Sequence, residues 1–503
     1  MVLNITNNTS YLNDYHFQTL CMLYYPGEKF PPGLKEADNK AEFFLEERTV
    51  DGIPHIYSKV VLYAGAKRQD AECCLSAGSF SFEADMAFAA QASVGCAFLE
   101  AGKALFGFTP PWGYLTGLRP VKRARYYLDK GFDKEAVRRL FEEDHRVSPE
   151  KTSLSLSIAE TEAKMLRPYT AKDCCLYIAI PFCPTRCEYC SFVSYSNDKL
   201  FKTIPDYLDR LDGDLARTAK IIKQTGFNLR SIYIGGGTPS VLNEIQIARI
   251  MDRLHSDFDL SGVREFSFES GRPDTTTKAK LALVKSYGVD RVSINPQTTD
   301  DEVLKRIGRA HSAVQFFKAA DEAMSLGFKS VNADLIAGLP GDNFDGFNKS
   351  LEDVISTGFN NITVHTLSVK NAAPMRFDES GIYDAAGVNA RKCVSYACER
   401  LAEAGLYPYY LYRQKNTIGN AENVGYAVPG TECDYNVLMM EETNTVFACG
   451  ASAITKLVAA DGGKIDRIAF PKYPFEYLAA PKGIGESRIL DFFKEDKDGE
   501  ILL

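Results

Sequence analysis

Apolar residues recur with two different periods along this chain, and the middle of the chain switches between them in a regular order. Runs at 176–181, 231–235, 265–270, 291–297, 330–337 and 361–368 are apolar enough on both faces to read as buried strands. Between them, 204–224, 243–255, 275–287, 313–326 and 344–356 carry apolar residues at helical spacing. Such alternation implies a parallel sheet joined by right-handed crossovers. Six strands in this arrangement predict an α/β fold, a partial (β/α)6 barrel. Functional groups in such a barrel gather at the carboxyl ends of the strands.

The flanking segments have other patterns. Residues 1–110 read as a small N-terminal α/β domain, with a strand at 2–6, a helix at 13–25, a strand pair at 41–48 and 55–64, and an Ala-rich helix at 85–106. The run Thr109-Pro110-Pro111-Trp112-Gly113 interrupts the pattern, and 111–172 reads as a helical segment. The barrel is expected over 173–370, and 371–503 as a mixed C-terminal domain. That last part holds a helix at 390–404, a tyrosine-rich stretch at 407–412 and an irregular tail.

Composition narrows the function class. The 503 residues are 45% hydrophobic and 25% charged, as in an ordinary globular enzyme. The net charge of -8 argues against nucleic acid as partner, so an anionic ligand would need a local basic patch. Arg119, Lys122, Arg123 and Arg125 supply one candidate, read first as a solvated helix face and, more sharply, as a patch facing an anion beside the active site. The start of the chain has no signal-peptide pattern and no apolar run is long enough to span a membrane. A cytoplasmic location is expected, where the 13 cysteines stay as thiols or bind metal.

The chemistry concentrates in Pro181-Phe182-Cys183-Pro184-Thr185-Arg186-Cys187-Glu188-Tyr189-Cys190, directly after the first barrel strand. Three thiolates on one loop can each hold one iron of a four-iron, four-sulfur cube, leaving the fourth iron open to a small molecule. Buried structural thiols and a zinc site completed by Cys174 or Cys175 are the competing readings. Gly235-Gly236-Gly237-Thr238-Pro239-Ser240 closes the second strand and lets a ligand approach the backbone. Glu269, Gln297 and Asp334 fall at the next strand ends, where acceptors suit hydroxyls or an ammonium group. Of six histidines, only His365 falls near the barrel mouth.

Taken together, these residues resemble the radical S-adenosylmethionine enzymes. Cys183, Cys187 and Cys190, with Tyr189, look like that superfamily's cluster loop, and Gly235 to Pro239 like its glycine motif. Asp334-Leu335-Ile336-Ala337-Gly338-Leu339-Pro340, Arg413 to Asn416, Gly419 to Tyr426 and Gly450 to Ile454 resemble motifs of the oxygen-independent coproporphyrinogen III oxidase (dehydrogenase) group. The N-terminal third resembles the extension of the long form found in low-GC Gram-positive bacteria.

The resemblance implies a [4Fe-4S] cluster on Cys183, Cys187 and Cys190, and one or two molecules of S-adenosyl-L-methionine. Tyr177, Tyr189, Gly236, Gly237, Thr238, Glu269, Gln297, Arg309 and Asp334 would contact the cofactor, with Ser368 and Ile454 at further contacts. It implies a tetrapyrrole substrate whose propionates become vinyl groups, and a low-potential electron donor such as flavodoxin or ferredoxin. Arg119, Arg123, Arg186, Arg272, Arg309 and Arg413 are candidates for its carboxylates, and Tyr407, Tyr409, Tyr410 and Tyr412 for its flat face. No residue is singled out as the catalytic acid or base.

One departure separates two functions. The oxidases carry a fourth cysteine two residues after the last cluster cysteine, whereas this chain has Phe192, as in the haem-chaperone branch. Ser293-Ile294-Asn295-Pro296-Gln297 and Glu269-Ser270-Gly271-Arg272-Pro273 also differ from the usual pattern. The expected function is anaerobic oxidative decarboxylation of coproporphyrinogen III to protoporphyrinogen IX. A haem carrier and a radical methyltransferase are the alternatives.

Overall fold

A computed structural model describes the chain except for residues 81, 83, 118, 191–197, 370–372, 376–386 and 500–503. Phe192 therefore lies outside the described residues. Contacts divide the chain into two compact units. The first combines Met1–Glu160 with Phe377–Arg391 and Leu411–Glu422, and the second combines Thr161–Arg376 with Lys392–Tyr410 and Asn423–Leu503.

The first unit holds a four-stranded sheet in the order β1 (Val2–Asn7), β2 (Asn39–Val50), β3 (Ile53–Ala64), β4 (Lys67–Ser76). The β2–β3 hairpin turns on Asp51 and Gly52, with φ of 51° and 79°, the left-handed pair that a two-residue hairpin turn requires. The helix Met86–Phe106 starts at Asp85, whose carboxylate accepts the Phe88 N–H at 2.7 Å, and stops at Gly107 with φ 80°. Its buried residues, among them Ala90, Val94, Ala97 and Phe98, share one core with Phe43, Ile56, Val60 and Leu62 of the sheet. The first helix spans Asp14–Cys21, shorter than the pattern suggests, because Tyr24 and Tyr25 leave the helix and donate to the carbonyls of Phe108 and Tyr63. β4 shows no apolar period in the sequence, because Lys67–Asp70 is polar on both faces of an edge strand.

The second unit is built on six parallel strands in sequence order: β5 (Asp173–Ile180), β6 (Asn228–Gly236), β7 (Glu265–Gly271), β8 (Arg291–Ile294), β9 (Ser330–Ala337) and β10 (Asn361–Thr366). Amphipathic helices such as Ile204–Thr225 and Phe344–Ser356 alternate with them, giving the expected partial barrel. The sheet continues at both ends, from β11 (Tyr407–Tyr412) and β12 (Asn423–Ala427) beyond β10 to β13 (Thr445–Cys449), β14 (Ile454–Val458) and β15 (Ile465–Ala469) beyond β5. The tail read as irregular thus supplies strands, one of them parallel to β5. β12 and β13 are five residues each and buried on both faces, so neither shows an alternating pattern. Tyr409 and Tyr410 are buried, whereas Tyr407 is exposed. Among the described residues no helix is long and apolar enough to cross a membrane.

Candidate active site

The thiol loop leaves β5 with Phe182 fully buried edge-on against Tyr207, the ring centroids 5.2 Å apart. Its backbone is laced to the glycine run of β6. Gly237 N–H donates to the Ile180 carbonyl and Thr238 N–H to the Phe182 carbonyl, each at 2.8 Å. A side chain cannot enter here, since a Cβ on Gly237 would lie 2.6 Å from the Phe182 carbonyl and 2.8 Å from that of Ile180. The Thr238 hydroxyl reaches the Cys183 sulfur at 3.3 Å.

The far side of the loop is held by the segment after β8. Glu188 N–H donates to the Ile307 carbonyl at 3.0 Å, and the Thr185 hydroxyl to the Gly308 carbonyl at 2.9 Å. Arg272, buried beyond β7, grips Asp274 through two nitrogens and donates to the Thr185 hydroxyl at 2.6 Å. Arg309 donates to the Tyr189 hydroxyl at 3.3 Å and to the Asn295 carbonyl at 2.6 Å. Burial opposes the charge of Arg309, yet the Tyr189 hydroxyl and Cys187 thiol beside it raise its pKa. Cys187 is buried, and Cys183 and Cys190 are partly exposed.

The expected strand-end groups lie close together. Glu269 on β7 has its carboxylate beside Gly235, where a Cβ would lie 2.6 Å from Oε2. Burial pushes the Glu269 pKa up to about 8, with the Asp334 charge adding to the rise and a Tyr233 hydrogen bond opposing it. Burial pulls Asp334 the same way, but His365 beside it, a hydrogen bond from Asn332 and the field of Arg309 hold it below the usual range. The His365 Nε2 lies 3.6 Å from Asp334 Oδ2. β7 and β9, on either side of β8, thus carry carboxyl groups with opposite shifts.

Gln297 has the left-handed φ of 71°, held by its N–H donating to the Asp334 carbonyl and its carbonyl accepting from Ile336 N–H. Its side-chain oxygen is buried without a hydrogen-bond partner, as is that of Asn295. Backbone strain of about 1–3 kcal/mol thus coincides here with an unsatisfied buried acceptor.

Two aromatic residues here escaped the sequence reading. Tyr177 of β5 stacks near Tyr233 of β6 and Tyr435 of the helix Asp434–Glu441, with centroids 6.1 and 6.0 Å away, and Tyr233 and Tyr435 lie 4.7 Å apart. Tyr233 could have been found, because it pairs in register with Tyr177. Tyr435 could not, because it arrives from the misread tail. Ser368 is buried after β10, and Ile454 opens β14 with 47% of its surface exposed. Of the six arginines considered for carboxylates, Arg186, Arg272 and Arg309 belong to this unit, and Arg119, Arg123 and Arg413 to the other.

The donor set fits an iron–sulfur cube with a small polar ligand beside it. Among the described residues no group of three or more His, Cys, Asp or Glu side chains is placed to hold a single metal ion. Ligands on three corners of a cube sit farther apart than ligands of one ion. Three thiols on one loop, a side-chain-free cradle at Gly237 and the unpartnered Gln297 oxygen match the cluster and its partner ligand.

The family model for the Radical SAM superfamily matches residues 177–354. Over 383 residues, 76% of each chain, the sequence is 36% identical to the oxygen-independent coproporphyrinogen-III oxidase-like protein HemZ of Bacillus subtilis. It is 34% identical over 196 residues to the haem chaperone HemW of the same organism, covering 39% of this chain and 50% of that protein. The solved structure of the radical SAM coproporphyrinogen III oxidase HemN of Escherichia coli aligns with a TM-score of 0.46 and 21% identity, over 64% of this chain and 71% of that one.

The matches define a radical SAM protein, a class whose members bind a [4Fe-4S] cluster and S-adenosylmethionine. Within it, the chain belongs to the oxygen-independent coproporphyrinogen III oxidase-like family.

Proposed function

We propose that this protein oxidatively decarboxylates coproporphyrinogen III, converting two propionate side chains to vinyl groups. The observation that carries the reading is the thiol loop tied through Thr238 and Arg309 to a mouth bearing Glu269, Gln297 and Asp334. The match to the oxidase-like relative over 76% of both chains supports the tetrapyrrole as substrate.

When bound, the cluster and S-adenosylmethionine supply the electron transfer and the hydrogen abstraction. Cys183, Cys187 and Cys190 would hold the cluster. Thr238, donating to the Cys183 sulfur, steadies one ligand, and Arg309 fixes Tyr189 between two others. Glu269 and the Gln297 oxygen would receive the polar groups of the cofactor, and Tyr177 would offer its face. Each propionate loses one hydrogen atom, one further electron and carbon dioxide, so each turnover needs a low-potential electron donor and a final one-electron acceptor.

Haem carriage is the second reading, favoured by Phe192 in place of a fourth cysteine and by the likeness to haem chaperones. One anaerobic experiment separates the two. The cluster-loaded protein receives S-adenosylmethionine, a low-potential reductant and coproporphyrinogen III, and the tetrapyrrole is weighed by mass spectrometry. Stepwise loss of two carboxylates with release of 5′-deoxyadenosine is the expected result. Cofactor cleavage with an unchanged tetrapyrrole would sink the oxidase reading.

A further inference from the structure

The first unit contains two adjoining cavities, of about 400 and 300 Å3, that share His16, Thr116 and Gly117 as a common wall. One is flanked by Arg119, Lys122 and Arg123, the other by Arg413 and Lys415. No Asp or Glu is found among the described residues lining either. In a chain of net charge -8, five cations around one two-lobed space is a concentrated exception. The walls between the cations are apolar and aromatic, with Tyr114 and Tyr126 in one lobe and Met22 and Leu23 in the other.

Arg413 makes this more than a basic surface. Only 7% of it is exposed, and its guanidinium donates to the backbone carbonyls of Leu115 and Asn420 at 2.5 and 3.4 Å. It stacks 5.6 Å above the Trp112 ring. Among the described residues no carboxylate lies within ion-pair distance of it. Burial lowers its pKa to about 10, against the opposing field of Glu422. A buried cation held by neutral partners gains much from an incoming carboxylate, which Arg binds through two nitrogens.

Two further polar atoms lack partners at the same place. Asn416 Oδ1 is buried without a hydrogen bond, on a residue with the left-handed φ of 57°. His16 Nε2, in the wall common to both cavities, is buried without one too. Strain and unsatisfied polar atoms around a cavity are the signs of a binding site.

We infer that this two-lobed cavity in the N-terminal unit is a second ligand site, which takes an amphiphilic polycarboxylate with carboxylates at its ends and an apolar body between. That the polycarboxylate is a tetrapyrrole rests on the function proposed above. The carboxylate chemistry rests on the cavity alone. Inorganic phosphate could meet the cations but leaves the aromatic walls unused.

The test is equilibrium binding to the full-length, cluster-loaded protein. Coproporphyrin III, the oxidised and unreactive tetracarboxylate, is titrated and followed by its fluorescence anisotropy. The comparison is between wild type and R123Q/K415Q, both substitutions being at exposed positions. The expected result is that one equivalent of coproporphyrin III binds roughly tenfold more weakly to the double variant, about 1.4 kcal/mol. R123K/K415R restores it, the tetramethyl ester fails to occupy the site, and added salt weakens the binding. Identical stoichiometry and affinity in wild type and R123Q/K415Q would overturn the inference, as would phosphate displacing coproporphyrin III as effectively as coproporphyrin III itself. The readout is the weakened affinity of one equivalent between the two proteins, so it stands whether or not the barrel turns over the same molecule. Absence of decarboxylation would remove the proposed reaction and leave this site intact.

Discussion

The indole N–H of Trp112 donates to the Glu422 carboxylate at 2.8 Å, joining positions 310 apart in the chain. Glu422 also pairs with Lys151 at 2.7 Å, and both charged groups are almost wholly buried. Burial opposes the charge of Lys151, while Glu422 and Glu150 raise its pKa. The C-terminal motif of Arg413 to Glu422 is therefore part of the N-terminal unit. E422Q keeps an acceptor for the indole but removes the charge that compensates Lys151. Breaking one partner of a buried pair costs about 3–5 kcal/mol. Urea unfolding followed by the fluorescence of Trp112, the single tryptophan, should show a loss of that order. A change below about 1 kcal/mol would mean that Glu150 alone suffices.

Gly237 tests the cradle. Its substitution by Ala places a Cβ against two backbone carbonyls that cannot swing away, as a flexible side chain could. Overpacking of this kind costs about 1–3 kcal/mol. Because those carbonyls belong to Ile180 and Phe182, the strain falls on the start of the thiol loop. G237A should show a lower melting temperature and less iron per chain after reconstitution. Retention of full iron content at an unchanged melting temperature would contradict the packing described.

Legibility followed distance along the chain. Strands β5 to β10, the thiol loop and the carboxyl groups at the strand ends were readable because strand–helix alternation is local and places the ends by counting. Ser330–Ala337 and Phe344–Ser356 match their expected bounds. What failed depended on remote pairing. Cys449 lies beside Ile178 in β5, and Asn420 Nδ2 donates to the Leu23 carbonyl across 397 positions. No local pattern announces either. Tyr435 joins the tyrosine stack by the same kind of remote arrival, and β4 carries too little apolar surface to show a period.

The thiol loop makes the assignment of cluster ligands separable from folding. Phe182, Thr185, Glu188 and Tyr189 anchor the loop through contacts that do not involve sulfur. Single Cys-to-Ala replacements at 183, 187 and 190 should leave the unfolding free energy of the cluster-free protein within about 1 kcal/mol of wild type. Each should abolish the visible absorption of the reconstituted cluster and the cleavage of S-adenosylmethionine. Cys174, buried in β5, serves as the contrast: C174A should keep the cluster and lose some stability through its cavity. A cluster that survives C187A would remove that residue from the ligand set.

Glu269 gives the mouth a pH dependence with a definite sign. The folded protein holds its proton up to about pH 8, whereas an unfolded glutamate releases its proton near 4.5. Between those values the folded state carries the extra proton, so this group makes stability fall as pH rises from about 4.5 to 8 and no further. Asp334 has the opposite shift and is ionised throughout that window. Tyr233, Tyr177 and Tyr435 are pushed upward by burial and stay protonated, and Arg309 stays charged. An ammonium group of the cofactor arriving at Glu269 would expel the carboxyl proton. Binding of S-adenosylmethionine should then release close to one proton below pH 8 and tighten as pH rises, by up to about tenfold per unit. Calorimetry in two buffers of different ionisation enthalpy counts that proton. In E269Q the proton release should vanish and the affinity should lose its slope. A release that persists in E269Q belongs to another group and would take Glu269 out of the cofactor's polar contacts.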